Sequence, residues 1–213
     1  MTSALRGLAL SAIFAVSVAP MASAEEDKAL DHVFTEAPTD HATGDADAPH
    51  TLIVYASNMC PHCQGWFADE WPTLKTELVE TGKLRVVFRP LPSEPVQLSM
   101  IGFMIAECAP ADDYFAVIEH QFERQSAIHA MAQTGGLREE FAAIGEKAGL
   151  ADEAAMNACL GDAEELADIH LAGERASAGG IRGIPGFILN GEVMKGAHKA
   201  VDIIAAVTGA ADG

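Results

Sequence analysis

The chain has 213 residues and a formal net charge of −18. That balance argues against nucleic acid or an anionic membrane surface as a partner, because both attract cations. The length suits one domain, or one domain with a large insertion.

Residues 1–24 read as a secretory signal. Arg6 supplies the positive n-region, Leu8 to Val18 an apolar stretch, and Ala22-Ser23-Ala24 a small-residue cleavage site. The apolar stretch is too short to span a bilayer and is followed at once by Glu25, Glu26 and Asp27. An uncleaved anchor is the alternative. Cleavage leaves 189 residues and removes one positive charge, so −18 becomes −19. The mature protein is expected in the periplasm, as a soluble monomer whose acidity serves solubility.

Residues 25–50 are acidic and carry Pro38, Gly44 and Pro49, so they read as an amphipathic or loosely packed lead-in, then a polar loop before the first strand. Thr51 to Ala56 is an apolar run, the expected first strand of a first part over 51–95. Cys60-Pro61-His62-Cys63 follows, then bulky residues at helical spacing: Trp66, Phe67, Trp71, Leu74 and Leu78. Gly82 ends that helix, Leu84 to Arg89 reads as a second, interior strand, and Pro90, Pro92 and Pro95 break the chain. From 96 to 179 the pattern is helical throughout, with segments over Val96–Ala109, Asp113–Gln125, Leu137–Ala148, Glu153–Leu160 and Glu164–Ala178. Its methionines read as core filler, and His120, His129 and His170 as surface or satisfied core residues. Strands return over 180–208: Ile184-Pro185, the run Gly186 to Leu189, a hairpin turn at Asn190-Gly191 and Glu192 to Met194. A helix over Lys199–Val207 closes the fold, and residues 209–213 are a tail. The fold class is α/β.

Cys60 and Cys63 carry the chemistry. They fall where a strand passes through a short turn into a helix, so Cys60 lies near unsatisfied backbone N–H groups and the positive end of the helix dipole. Both features favour thiolate over thiol. Pro61 fits the first helical turn, where its missing N–H is not needed. His62, when charged, adds a second cation. Cys60 is therefore the expected attacking sulfur, with Cys63 one turn below and less exposed; Pro61 and His62 tune the pair. A structural zinc site would need a second Cys/His pair, and the sequence has no further CxxC, CxxH or HxxxH. A purely structural disulfide across two residues would close too small a loop to stabilise much. Cys108 and Cys159 both fall in the helical block; an even cysteine count in an exported protein favours their pairing, and two separate buried thiols are the alternative.

The order of these elements resembles the DsbA-like branch of the thioredoxin superfamily over about residues 40–208. The Cys60–Cys63 motif and Arg182-Gly183-Ile184-Pro185 stand at the two ends of the helical insertion, as in that family. The resemblance implies a thioredoxin-like fold with an all-helical insertion between the second strand and the cis-Pro hairpin. It also implies a cis bond before Pro185 and pairing of the Ile184 backbone with an extended substrate peptide. The expected activity is a dithiol oxidase that forms disulfides in newly exported, reduced proteins through a Cys60 mixed disulfide. A quinone-linked membrane partner would re-oxidise it, with no bound cofactor or metal. The sequence departs from the family at Val54, six positions before Cys60, where members usually carry a buried acid thought to move the proton of the second cysteine. A disulfide isomerase or reductase on the same fold is one rival; a soft-metal module using Cys60, His62 and Cys63 is the other.

Overall fold

A computed structural model describes residues 31–196 and 199–209. The expected signal segment and most of the C-terminal tail lie outside the described residues. Five strands form one sheet: β1 (His41–Thr43), β2 (His50–Ala56), β3 (Leu84–Pro90), β4 (Gly186–Leu189) and β5 (Glu192–Val193), in the order β1-β3-β2-β4-β5. Only β2 and β3 run parallel; β1, β4 and β5 are each antiparallel to their neighbours. β3 is interior as expected, and β2, between β3 and β4, is the central strand, its apolar run buried on both faces. Leu52 and Val54 face one packed layer, Ile53 and Tyr55 the other, and all four are almost wholly buried.

Eight helices accompany the sheet among the described residues. α1 (Pro61–Asp69) follows β2, and α2 (Trp71–Leu74) continues it into a π-helical turn at Lys75–Val79. α3 (Val96–Glu107), α4 (Tyr114–Thr134), α5 (Leu137–Lys147), α6 (Glu153–Leu160) and α7 (Ala163–Ala178) form the helical block, and α8 (Ala200–Thr208) follows the hairpin. Asp152 and Asp162 cap α6 and α7, their carboxylates accepting from Ala155 N–H at 2.9 Å and Glu164 N–H at 2.9 Å. At the hairpin turn Asn190 and Gly191 both adopt positive φ, 51° and 84°, as the expected two-residue turn requires.

Two expectations need correction. The lead-in is not only loop, since His41–Thr43 pairs antiparallel with β3 from Val86 to Phe88 and becomes an edge strand. The segment before it is held by Arg89, fully buried at the end of β3. That guanidinium donates to the carbonyls of His32, Val33 and Thr35, to Tyr55 Oη, and to Asp40 at 2.7 Å. Desolvating a charge is costly, and here four neutral acceptors and a paired carboxylate offset the cost. The second correction concerns α4, which does not stop at Gln125. It runs on to Thr134 and ends where Gly135 and Gly136 turn to positive φ.

The helical block and the sheet share one core. Phe67 of α1 stacks on Phe122 of α4 with ring centroids 4.1 Å apart, and Phe88 of β3 meets Phe103, Tyr114, Phe115 and Phe122. α7 lies on the opposite face of the sheet, where Ala176 joins Ile53, Tyr55, Val87 and Ile188. Cys108, at the end of α3, is joined to Cys159 of α6, with their Cα atoms 6.0 Å apart.

Candidate active site

β2 ends at Ala56, and three buried residues, Ser57, Asn58 and Met59, turn the chain into α1. Cys60 is the N-cap of α1, with extended backbone (φ −88°, ψ 120°) and Pro61 directly after it. Its carbonyl accepts Gln64 N–H at 3.0 Å and so starts the helix. Cys60 has no side-chain cap bond, which leaves its sulfur at the open end of α1. Cys60 is half-buried and Cys63 fully buried, and both are free thiols. Ser57 N–H donates to Cys63 Sγ at 3.5 Å.

Burial pushes the Cys63 thiol far above its ordinary value, and the neighbouring Cys60 sulfur pushes the same way; only the Ser57 N–H opposes them. Among the described residues no acidic or basic side chain contributes to this shift. Val54, at the position of the family's buried acid, is fully buried and lies between Phe88 and Phe187 in neighbouring strands. Among the described residues no carboxylate replaces it beside Cys63.

On the far side of the pair, Cys60 Sγ lies 4.0 Å from the carbonyl oxygen of Ile184. The Ile184–Pro185 bond is cis, and both residues are half-exposed ahead of β4. The structure thus brings Cys60, Cys63, Ile184 and Pro185 together from sequence positions more than 120 apart. Pro61 and His62 sit on the exposed side of α1, and His62 makes no hydrogen bond or ion pair with a described residue. Among the described residues no group of three or more His, Cys, Asp or Glu could hold a metal ion.

Behind the motif stands a polar cluster that the sequence reading missed. Ser99 of α3 donates its hydroxyl to Asn58 Oδ1 at 2.7 Å, so it must accept from Ser57 Oγ at 3.1 Å. Ser57 Oγ in turn accepts from Ser93 Oγ at 2.8 Å and from Met59 N–H at 3.2 Å. Asn58 Nδ2 donates to Gln121 Oε1 at 2.7 Å and to the Ser99 carbonyl, and Gln121 Nε2 donates to the Gly102 carbonyl at 2.8 Å. Each hydroxyl hydrogen is committed within this chain, so Ser57 meets Cys63 through its backbone N–H and not its hydroxyl. Gly102 is required by proximity: a Cβ there would lie 2.2 Å from Asn58 Nδ2 and 2.6 Å from Gln121 Oε1. Serines and glutamines on otherwise apolar helix faces were the available signal. Their partners lie 19 to 67 residues away, so no local pattern points to them.

The comparisons agree with this geometry. The thioredoxin family model matches residues 36–208. No curated protein matches the chain at the sequence level. Among solved structures, Wolbachia pipientis alpha-DsbA1 is similar at a TM-score of 0.70 and 22% identity, covering 82% of this chain and 92% of that one. BdbD from Bacillus subtilis, in its oxidised form, is similar at a TM-score of 0.65 and 16% identity, covering 80% and 92%. A protein-disulfide isomerase from Novosphingobium aromaticivorans reaches 0.63 and 20%, covering 79% and 97%. At these identities the likeness is one of fold. The match over 36–208, together with a five-stranded sheet interrupted by a helical block, shows that the chain belongs to the thioredoxin family and has a DsbA-like fold.

Proposed function

We propose that this protein is an exported thiol:disulfide oxidoreductase whose Cys60–Cys63 pair oxidises reduced, newly exported proteins. The observation that carries the reading is the unequal pair: a half-exposed Cys60 at the open end of α1, against a fully buried Cys63 whose burial favours the thiol. In the oxidised enzyme a substrate thiolate attacks Cys60 Sγ. The Cys60–Cys63 bond breaks, its electron pair leaves on Cys63, and that sulfur takes up a proton. A second substrate thiolate then attacks the substrate sulfur of the mixed disulfide, forming the substrate disulfide and releasing Cys60 as thiolate. Two electrons have passed from substrate to enzyme. Negative charge on the departing Cys60 is favoured by the free N–H groups of the first turn of α1, which speeds release and favours the reduced enzyme.

The extended substrate would lie along Ile184, whose carbonyl faces Cys60 Sγ at 4.0 Å, in the strand-addition mode that family resemblance suggests. The same resemblance supports the periplasm as location, a quinone-linked membrane partner for re-oxidation, and action as a monomer. The equilibrium of Cys60–Cys63 with glutathione tests the direction. A pair that stays largely reduced in an oxidising glutathione buffer supports the oxidase. A pair held as the disulfide under reducing conditions supports a reductase or isomerase, the reading favoured by the likeness to the Novosphingobium protein. Stoichiometric zinc or copper on the purified reduced protein would instead support the metal module.

A further inference from the structure

Gln121, Gln125 and His129 recur every fourth residue of α4 and so stand in a row along one face of that helix. All three meet the turn that delivers Cys60. Gln121 Oε1 accepts from Asn58 Nδ2 at 2.7 Å. Gln125 Nε2 donates to the carbonyl of Asn58 at 2.7 Å and to that of Cys60 at 3.1 Å. His129 Nε2 lies 3.4 Å from the carbonyl of Met59, which can only accept, so this nitrogen carries the proton. Side chains of the helical block therefore hold three consecutive carbonyls at the start of the active-site helix.

Gln125 is the central rung. It is 1% exposed, and it supplies the Cys60 carbonyl with a second donor beside Gln64 N–H. The Asn58 and Cys60 carbonyls are the negative ends of backbone dipoles in the turn that carries the Cys60 sulfur. A donor on them offsets that potential and holds Cys60 in its extended N-cap conformation; without it, negative charge on Cys60 is less well accommodated.

We propose that Gln125 is a positioning residue that shifts the dithiol–disulfide equilibrium toward the dithiol, acting through the backbone of Asn58 and Cys60 and touching neither sulfur. The proposal rests on Cys60–Cys63 being the redox pair. The couple is the enzyme dithiol plus oxidised glutathione giving the enzyme disulfide plus two reduced glutathiones, so thiols and electrons balance.

The test uses the full mature chain. Gln125→Met keeps the length of the side chain and removes the donor. The loss of one net hydrogen bond from the reduced state alone should move the glutathione equilibrium about three- to tenfold toward the enzyme disulfide. Tenfold corresponds to about 30 mV. By the thermodynamic cycle, the reduced form must then lose more unfolding stability than the oxidised form, by the same factor. Gln64→Met serves as control, because Gln64 bonds the Phe122 carbonyl and Ser126 Oγ but no carbonyl of the turn; it should destabilise both redox forms equally. Equal loss in both forms of Gln125→Met, with the equilibrium unchanged, makes Gln125 merely structural and overturns the inference. Should Gln125→Met fail to fold, Gln125→Asn keeps the amide but is one methylene shorter and no longer reaches both carbonyls, so the same equilibrium read on it decides. A wild-type pair that does not exchange with glutathione at all would sink the proposed function and this inference together.

Discussion

The chain carries two pairs of cysteines, and they make opposite use of the same bond. Cys60 and Cys63 are separated by two residues at the open end of a helix, one sulfur half-exposed and the other buried. Cys108 and Cys159 are 51 residues apart, and their bond ties α3 to α6 within the helical block. The short motif closes almost no loop, so its disulfide adds little to chain stability, and free N–H groups of α1 favour its broken form. The long connection restricts the unfolded chain strongly, and neither partner sits at a helix N-terminus. Loop length and local dipoles, more than sulfur chemistry, separate a pair suited to turnover from a pair suited to permanence.

Cysteine substitutions should widen this contrast most. Cys60→Ser should abolish oxidation of a reduced test protein, whereas Cys63→Ser should accumulate a mixed disulfide through Cys60; mass mapping of the trapped adduct to Cys63 would reverse the roles. Replacing Cys108 and Cys159 together by alanine should cost on the order of 4 kcal/mol in urea unfolding, from the loop-closure relation for 51 residues, and leave the glutathione equilibrium untouched. A changed equilibrium would mean that the two pairs communicate.

Gly102→Ala comes next. It would press on Asn58 and Gln121 and should destabilise the protein by about 1–3 kcal/mol while slowing oxidation, since the turn that delivers Cys60 must shift. Normal stability together with normal turnover would show that the polar cluster yields at no cost. A smaller effect concerns pH. Burial raises the Cys63 thiol, so the folded reduced protein keeps that proton to higher pH than the unfolded chain does. The resulting stability is present in full below the unfolded thiol value of roughly 8.5. It falls as pH rises from there toward the folded value, with a slope of up to about 1.4 kcal/mol per pH unit. Reduced wild type should show this fall between pH 8.5 and 10 relative to reduced Cys63→Ser; parallel curves for the two would refute it. The smallest effect is expected at His62, which is exposed and makes no polar contact with a described residue. His62→Ala should make the pair a weaker oxidant by less than about 30 mV. Coincident thiolate absorbance curves for variant and wild type would leave the helix end alone to activate Cys60.

The sequence was most legible where the signal is local. Helix α6 runs over the expected Glu153–Leu160, and Asn190-Gly191 makes the expected turn, because capping and turn chemistry act over a few residues. β1 went unread for a physical reason: three residues at a sheet edge carry too little alternation to register, and their pairing with β3 is long-range. α4 continues past the expected end at Gln125: Ser126, His129 and Gln133 interrupt the apolar spacing, but Ile128 is buried in the shared core. Arg89 read as one more strand residue, although its carboxylate partner Asp40 lies 49 positions away.

The sequence by itself determined the strand–turn–helix that presents Cys60, the apolar central strand and the helical nature of residues 96 to 179, since backbone propensity and hydrophobic period are written locally. Tertiary structure alone decided what surrounds the sulfurs. It placed the Ile184 carbonyl 4.0 Å from Cys60, buried Cys63 completely, and set Ser99, Gln121 and Gln125 against the turn before α1. Those contacts join residues 41 to 124 positions apart, and only the packing of α3, α4 and the β4 hairpin around one core brings them within hydrogen-bonding distance.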